Sequence, residues 1–361
     1  MVLKYLLVLL SDSSASFCYY PSPKAEIPKG IAVANSHKKD NAFHISDEKP
    51  TDIYYNENQH LISLDHLKKT VVFALKNNLK VNFLYPHFLL DEAYTKVIEE
   101  VEHIKIIPFD AKIFNEDAIL IINSKDFPTT LDLENYTHQN FILKLQKKDL
   151  KKLDTMMLAL LAKSARINLV LMDLENYEEK DYAIYEKQLE KITRKLIQYQ
   201  NQNAIPELNF LTDRIDLNQM NNCQAGIQHL TIAPNGKMYL CPAFYHENPS
   251  EDLGEIKNEI FIKNARLLEL NYAPICRICD AYQCKRCVYL NKKLTLEINT
   301  PSSQQCITSH IERDASRRIL EKLQKMHPDF NPQITIPQLN YRDPFEIVKG
   351  NPQKIATLNH P

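Results

Sequence analysis

Seven of the chain's eight cysteines fall between residues 223 and 306. They read C-x12-G-x4-C (Cys223, Gly236, Cys241), then C-x2-C-x4-C-x2-C (Cys276, Cys279, Cys284, Cys287), then Cys306 after another 18 residues. Thiolates spaced this closely on turns aim two sulfurs at one centre and bind soft metals. Disulfides suit small secreted chains, and this one has 361 residues and no clear signal peptide. Structural zinc pairs usually stand about 15–20 residues apart. Here only Asp280 to Gln283 separate the two pairs. Iron–sulfur clusters fit the count better, since two four-iron clusters need about eight ligands. The pattern therefore predicts one or two 4Fe-4S clusters, with zinc as the alternative. A hairpin must deliver one of these thiols: Ala233-Pro234-Asn235-Gly236 is a turn sequence between two apolar runs, and Cys241 follows the second.

With those residues in place, the pattern resembles the SPASM domain, the C-terminal extension of peptide-modifying radical S-adenosylmethionine enzymes. The family pattern is C-x9–15-G-x4-C, a gap, C-x2-C-x5-C-x3-C, a gap, and C. The last two spacers of the central group are each one residue shorter here. The surrounding words are similar to one group, the CXXX-repeat peptide maturases. They are Asn221-Asn222-Cys223, Ala233-Pro234-Asn235-Gly236, Cys241-Pro242-Ala243-Phe244-Tyr245, Ala273-Pro274-Ile275-Cys276, the run from Cys279 to Cys287, and Asn299-Thr300-Pro301-Ser302. Leu7-Val8-Leu9-Leu10 and Ser16-Phe17-Cys18 are similar to that group as well.

The resemblance implies two cluster sites. Cys276, Cys279, Cys284 and Cys306 would complete one, and Cys223, Cys241 and Cys287 would hold the other. The family's further ligand lies six residues before the first motif cysteine, where this chain has Leu217. Asp213 or Asp216 then closes the second site, or one iron stays open to a substrate group, or the site is not filled. The implied function is maturation of a ribosomally made, Cys-rich peptide with Cys-x-x-x repeats. The alternative is a non-catalytic peptide-binding or electron-transfer partner of a separate radical S-adenosylmethionine enzyme.

The N-terminal half lacks that superfamily's own centre. C-x3-C-x2-C belongs after the first strand, but Ser11, Ala15 and Cys18 occupy those places. One thiol cannot hold a cluster. Between Gly30 and Gly226 there is no glycine, so no Gly-rich strand end, P-loop or Rossmann turn can form there. Cleavage of S-adenosylmethionine is not expected. Asp12, Cys18, Asp173 with Glu175, and Asp213 follow predicted strands, where barrel enzymes place catalytic groups. Turn and cap roles explain such aspartates equally well.

The elements that must position these residues alternate. Strands are expected at 2–10, 79–85, 104–107, 118–122, 141–145, 167–172 and 207–211. Helices are expected from Ser63 (Leu64, Leu67, Val71 and Leu75 inward), over 91–102 capped by Asp91, from Asp149, over 180–201, and over 308–326. Alternation implies a parallel α/β sheet. An ordinary doubly wound sheet fits it as well as an open barrel, and the resemblance selects a degenerate, partial (β/α) barrel of radical-enzyme type. The expected domains are that barrel over 1–215, with an irregular excursion at 19–60, a small SPASM-like α+β domain over 216–326, and an extended Pro-rich tail over 327–361. Lys+Arg of 44 against Asp+Glu of 45 leaves no basic block for nucleic acid or an anionic membrane. The apolar start is too short to span a bilayer, and eight cysteines point to a reducing cytoplasm.

Overall fold

The first strand, β1 (Tyr5–Leu9), is an unbroken apolar run, and its last four residues are almost wholly buried. Such a strand needs cover on both faces, which a parallel α/β sheet supplies. The computed structural model describes residues 3–20, 61–111, 117–128, 131–200, 207–220, 223–256 and 260–346. Most of the predicted excursion, and the tail beyond 346, lie outside them.

The remaining strands are β2 (Lys80–Leu84), β3 (His103–Pro108), β4 (Ile119–Asn123), β5 (Gln139–Leu145), β6 (Ser164–Leu171), β7 (Glu207–Leu208), β8 (His229–Ile232) and β9 (Met238–Tyr239). They form one sheet in the order β7-β6-β5-β4-β3-β2-β1-β8-β9, parallel except for the β8–β9 hairpin. From β1 to β7 each strand joins the outer edge of the last one, without the reversal that defines a doubly wound sheet. This is the winding of a barrel. β8 pairs with β1 on its free side, so the cysteine-bearing hairpin continues the same sheet.

The helices are α1 (Leu64–Lys76), α2 (Glu92–Ile98), α3 (Leu153–Leu161), α4 (Glu179–Gln200), α5 (Asp213–Asp216), α6 (Pro242–Glu247), α7 (Val288–Thr295) and α8 (Ser303–Met326). Two predicted caps form as expected. Ser63 Oγ accepts from His66 N at 3.2 Å, and Asp91 accepts from Ala93 N at 2.6 Å. Gly236 sits in the hairpin turn at φ +77°, and an added Cβ there would lie 2.4 Å from the His66 ring.

Other expectations are corrected. Leu75 faces solvent, and the buried stripe of α1 runs through Leu67, Thr70, Val71 and Ala74. α2 ends at Ile98 rather than 102. Asp149 is no cap: it lies inside a 3-10 turn, Lys147–Lys152, and accepts from Ser124 Oγ at 2.9 Å. β7 stops after two residues because Asn209 replaces the ladder with its side chain. Its amide accepts from Leu169 N at 2.7 Å and donates to Leu169 O at 3.1 Å. α8 begins five residues before the predicted start, at a Ser302 cap that accepts from Gln305 N at 3.2 Å.

Candidate metal centre

The long helix α8 assembles the first thiol group. Cys306, Ser309, His310 and Arg313 lie on one face, at i, i+3, i+4 and i+7. Each addresses the loop carrying Cys276, Cys279 and Cys284. The Ser309 hydroxyl bonds to the Cys284 sulfur. His310 Nε2 stands 3.7 Å from Cys279 Sγ, and its Nδ1 donates to Arg342 O at 2.8 Å. Arg313, almost fully buried, holds both carboxylate oxygens of Asp280 in a fork. Arg214 joins the same carboxylate at 3.5 Å and stacks on Tyr282. The four-residue spacer is thereby fixed to the helix that supplies the last cysteine. Backbone N–H groups point at the sulfurs: Ala281 N reaches Cys279 Sγ and Arg286 N reaches Cys284 Sγ, both at 3.4 Å. Burial pushes the Cys276 and Cys279 thiols up to about 12, with help from their thiol neighbours, and Cys306 well above its usual range. Such thiols are poor nucleophiles, and a bound metal is what ionises them.

A second group forms around the hairpin. Cys241 follows β9 and precedes α6, where its sulfur accepts from the backbone of Ala243 and Phe244. Cys287 caps α7 and accepts from Leu290 N at 3.5 Å. Phe244 packs on Tyr289, centroids 5.9 Å apart, which joins the two short helices. Cys223 is tied alongside by its own N–H, which donates to Lys285 O at 3.0 Å. Burial raises all three thiols, and neighbouring thiols raise Cys241 and Cys287 further.

The residues fit a four-iron cluster by their donor set and by what surrounds them. Arg286 is buried between the groups, within reach of charge on Cys223, Cys276 and Cys284. Its Nε and both side-chain amide atoms of buried Gln283 and Gln305 have no hydrogen-bond partner among the described residues. Orphaned N–H donors next to cysteines suit a group whose sulfides accept hydrogen bonds. Among the described residues no three Cys, His, Asp or Glu side chains converge as tightly as one ion's ligands do. A cubane, with one thiolate on each corner iron, does not require that.

No family model matches this chain, and no curated protein matches it either. Among the solved structures that match is the crystal structure of Streptococcus suis SuiB bound to precursor peptide SuiA, 12% identical, with a TM-score of 0.39, covering 85% of this chain and 76% of that one.

The acidic candidates are engaged elsewhere. Asp12 accepts from Tyr245 OH and so ties the segment after β1 to α6. Asp173 is an exposed left-handed turn residue at φ +60°, and Glu175 lies 3.7 Å from Lys293. Asp213 is paired with Arg166 at 2.6 Å. Asp216 is exposed, and Leu217 ends α5. None of these joins the thiols. Two other groups were not singled out from sequence. Lys144 on β5 is buried and donates to Ser16 Oγ at 2.5 Å and Tyr20 O at 3.0 Å. Glu312, three residues after Ser309 on α8, lines a cavity of about 20 Å³ with Tyr19, Asn209, Cys284 and Lys285. Burial pushes its carboxyl up to about 7. The spacing of Glu312 about one turn after Ser309 on α8 was the available signal; Lys144 had none.

Among the described residues no helix is long and apolar enough to cross a membrane.

Proposed function

We propose that this chain is an iron–sulfur protein of peptide maturation, carrying 4Fe-4S clusters on its cysteines and acting on a Cys-rich precursor peptide with Cys-x-x-x repeats. The observation that carries the metal part is the single face of α8. Cys306, Ser309, His310 and Arg313 meet the Cys276–Cys284 loop there, and this shared neighbourhood of Cys276, Cys279, Cys284 and Cys306 supports the reading of one ligand set. When bound, such a cluster supplies one-electron transfer or, at an open corner, a Lewis-acidic iron. The chain's own residues orient the thiolates, donate N–H groups to them and keep Arg286 buried beside them as a counter-charge. The peptide part rests on the motif resemblance of the cysteine region, and the domain division of 1–215, 216–326 and 327–361 belongs to the same reading.

The test pairs composition with binding. Anaerobically purified protein is expected to contain iron and acid-labile sulfide, and to bind a synthetic Cys-x-x-x repeat peptide more tightly than its Ser-x-x-x counterpart. Metal with no preference for the cysteine peptide would remove the peptide part; zinc without sulfide would remove the cluster.

A further inference from the structure

The family plan leaves the second thiol group one ligand short, with Leu217 in the place of the missing cysteine. Leu217 is held in the backbone turn that closes α5, its N–H bonded to Asp213 O at 3.0 Å. The nearby carboxylate of Asp213 is taken by Arg166. A thiol from the other half of the chain is close by. After β1 the chain crosses the strand ends: Ser14 Oγ donates to Leu84 O at 2.7 Å at the end of β2, and Tyr20 O accepts from Lys144 on β5. Cys18 lies in this crossing. Two contacts press the segment against α6, immediately after Cys241: Tyr245 OH donates to Asp12, and the Tyr20 ring stacks on His246 with centroids 5.3 Å apart. α6 in turn packs on α7, immediately after Cys287. Cys223, Cys241 and Cys287 all lie within electrostatic reach of Cys18.

We propose that Cys18 is the fourth ligand of the second cluster, joining Cys223, Cys241 and Cys287 in a complete four-cysteine site. The inference rests on the cluster reading above. It gives a ligand role to a cysteine that the sequence places at the third position of an incomplete C-x3-C-x2-C motif. Three further observations agree with it. The Cys18 sulfur accepts backbone N–H bonds from Tyr19 and Tyr20, as the other ligands do from their own neighbours. The ammonium of Lys144 is buried beside Cys18, and among the described residues it makes no ion pair with a carboxylate. A buried cation needs an anion nearby, which a cluster bearing four thiolates would provide. Finally, all eight cysteines then divide into two sets of four, the number two four-iron clusters require. A site closed by Cys18 has no vacant iron, and the cluster staples the segment after β1 to the cysteine-rich half.

The test compares Cys18→Ala, Cys223→Ala and the double variant with the natural chain, all full length and purified anaerobically. Iron, sulfide and the electron paramagnetic resonance spectrum of the dithionite-reduced protein are read together with circular dichroism. The natural chain is expected to hold about eight irons, and each single variant about four with the same residual spectrum. The double variant is expected to lose no more than either single one. Natural iron content and spectrum in Cys18→Ala, or additive losses in the double variant, would overturn the assignment while leaving the cluster reading intact. Absence of iron and sulfide from the natural chain would instead overturn that reading. Where Cys18→Ala is insoluble, Cys18→Ser decides: an altered spectrum supports ligation, and an unchanged one refutes it.

Discussion

The ion pair between Asp280 and Arg313 gives the sharpest mutational test of how the first thiol group is held. Arg313 is 1% exposed, Arg214 6% and Asp280 28%. Changing Asp280 to Ala strips the carboxylate from two buried guanidinium groups at once, and neither has another carboxylate among its described contacts. Removing one partner of a buried pair costs roughly 3–5 kcal/mol, and the partial exposure of Asp280 favours the lower end. A loss of about 3 kcal/mol in a chain of this length lowers the Tm by about 4 °C. The reverse change, Arg313→Met, costs less. Asp280 keeps water and Arg214, methionine fills most of the space, and the other loss is the hydrogen bond to Pro337 O, worth about 1 kcal/mol. Asp280→Ala also frees the loop bearing Cys276, Cys279 and Cys284, so its anaerobic iron content should fall as well. Thermal unfolding followed by circular dichroism, with iron assay on the same samples, measures both. A Tm shift below about 1 °C, or a larger shift for Arg313→Met than for Asp280→Ala, would refute the reasoning.

Two further outcomes are expected. Burial raises Glu312 from its ordinary 4.5 to about 7, against the opposing Tyr185 hydrogen bond and the Lys285 charge. The folded chain therefore holds this proton more tightly than the unfolded chain. The stability it contributes is full below about pH 4.5 and is lost as pH rises through about 7. Glu312→Gln should flatten the fall in Tm between about pH 5 and about pH 8, and parallel Tm–pH curves would contradict this. Separately, dithionite-reduced protein should form no 5′-deoxyadenosine from S-adenosylmethionine above background, because Ser11 and Ala15 stand where two thiolates would be needed. Product that disappears in Cys223→Ala would contradict that and place the cofactor at the second site.

Features carried by neighbours in sequence were legible before the fold. Ser63 and Asp91 cap because a short polar oxygen precedes an apolar repeat, and Asn235-Gly236 turns because glycine accepts a positive φ. Winding was ambiguous, since alternating strands and helices do not say on which edge each new strand lands; the ladder order supplied it. Asp149 misled because tertiary contact with Ser124 outweighed a local cap. The ring of contacts from α8 was half-legible, in that Cys306, Ser309, His310 and Arg313 share helical spacing, but the targets of His310 and Arg313 are 31 and 33 residues away. The position of Cys18 had no sequence signal. It is set by Tyr245 reaching Asp12 across 233 residues and by Lys144 reaching Ser16 across 128.

Metal and sulfide analysis of the natural chain, purified without oxygen and normalised to folded protein, tests the central claim most directly. Two four-cysteine sites predict about eight irons and about eight acid-labile sulfides per chain, with broad visible absorption that bleaches on reduction. Stoichiometric zinc with no sulfide, or a colourless metal-free protein that stays folded, would contradict it.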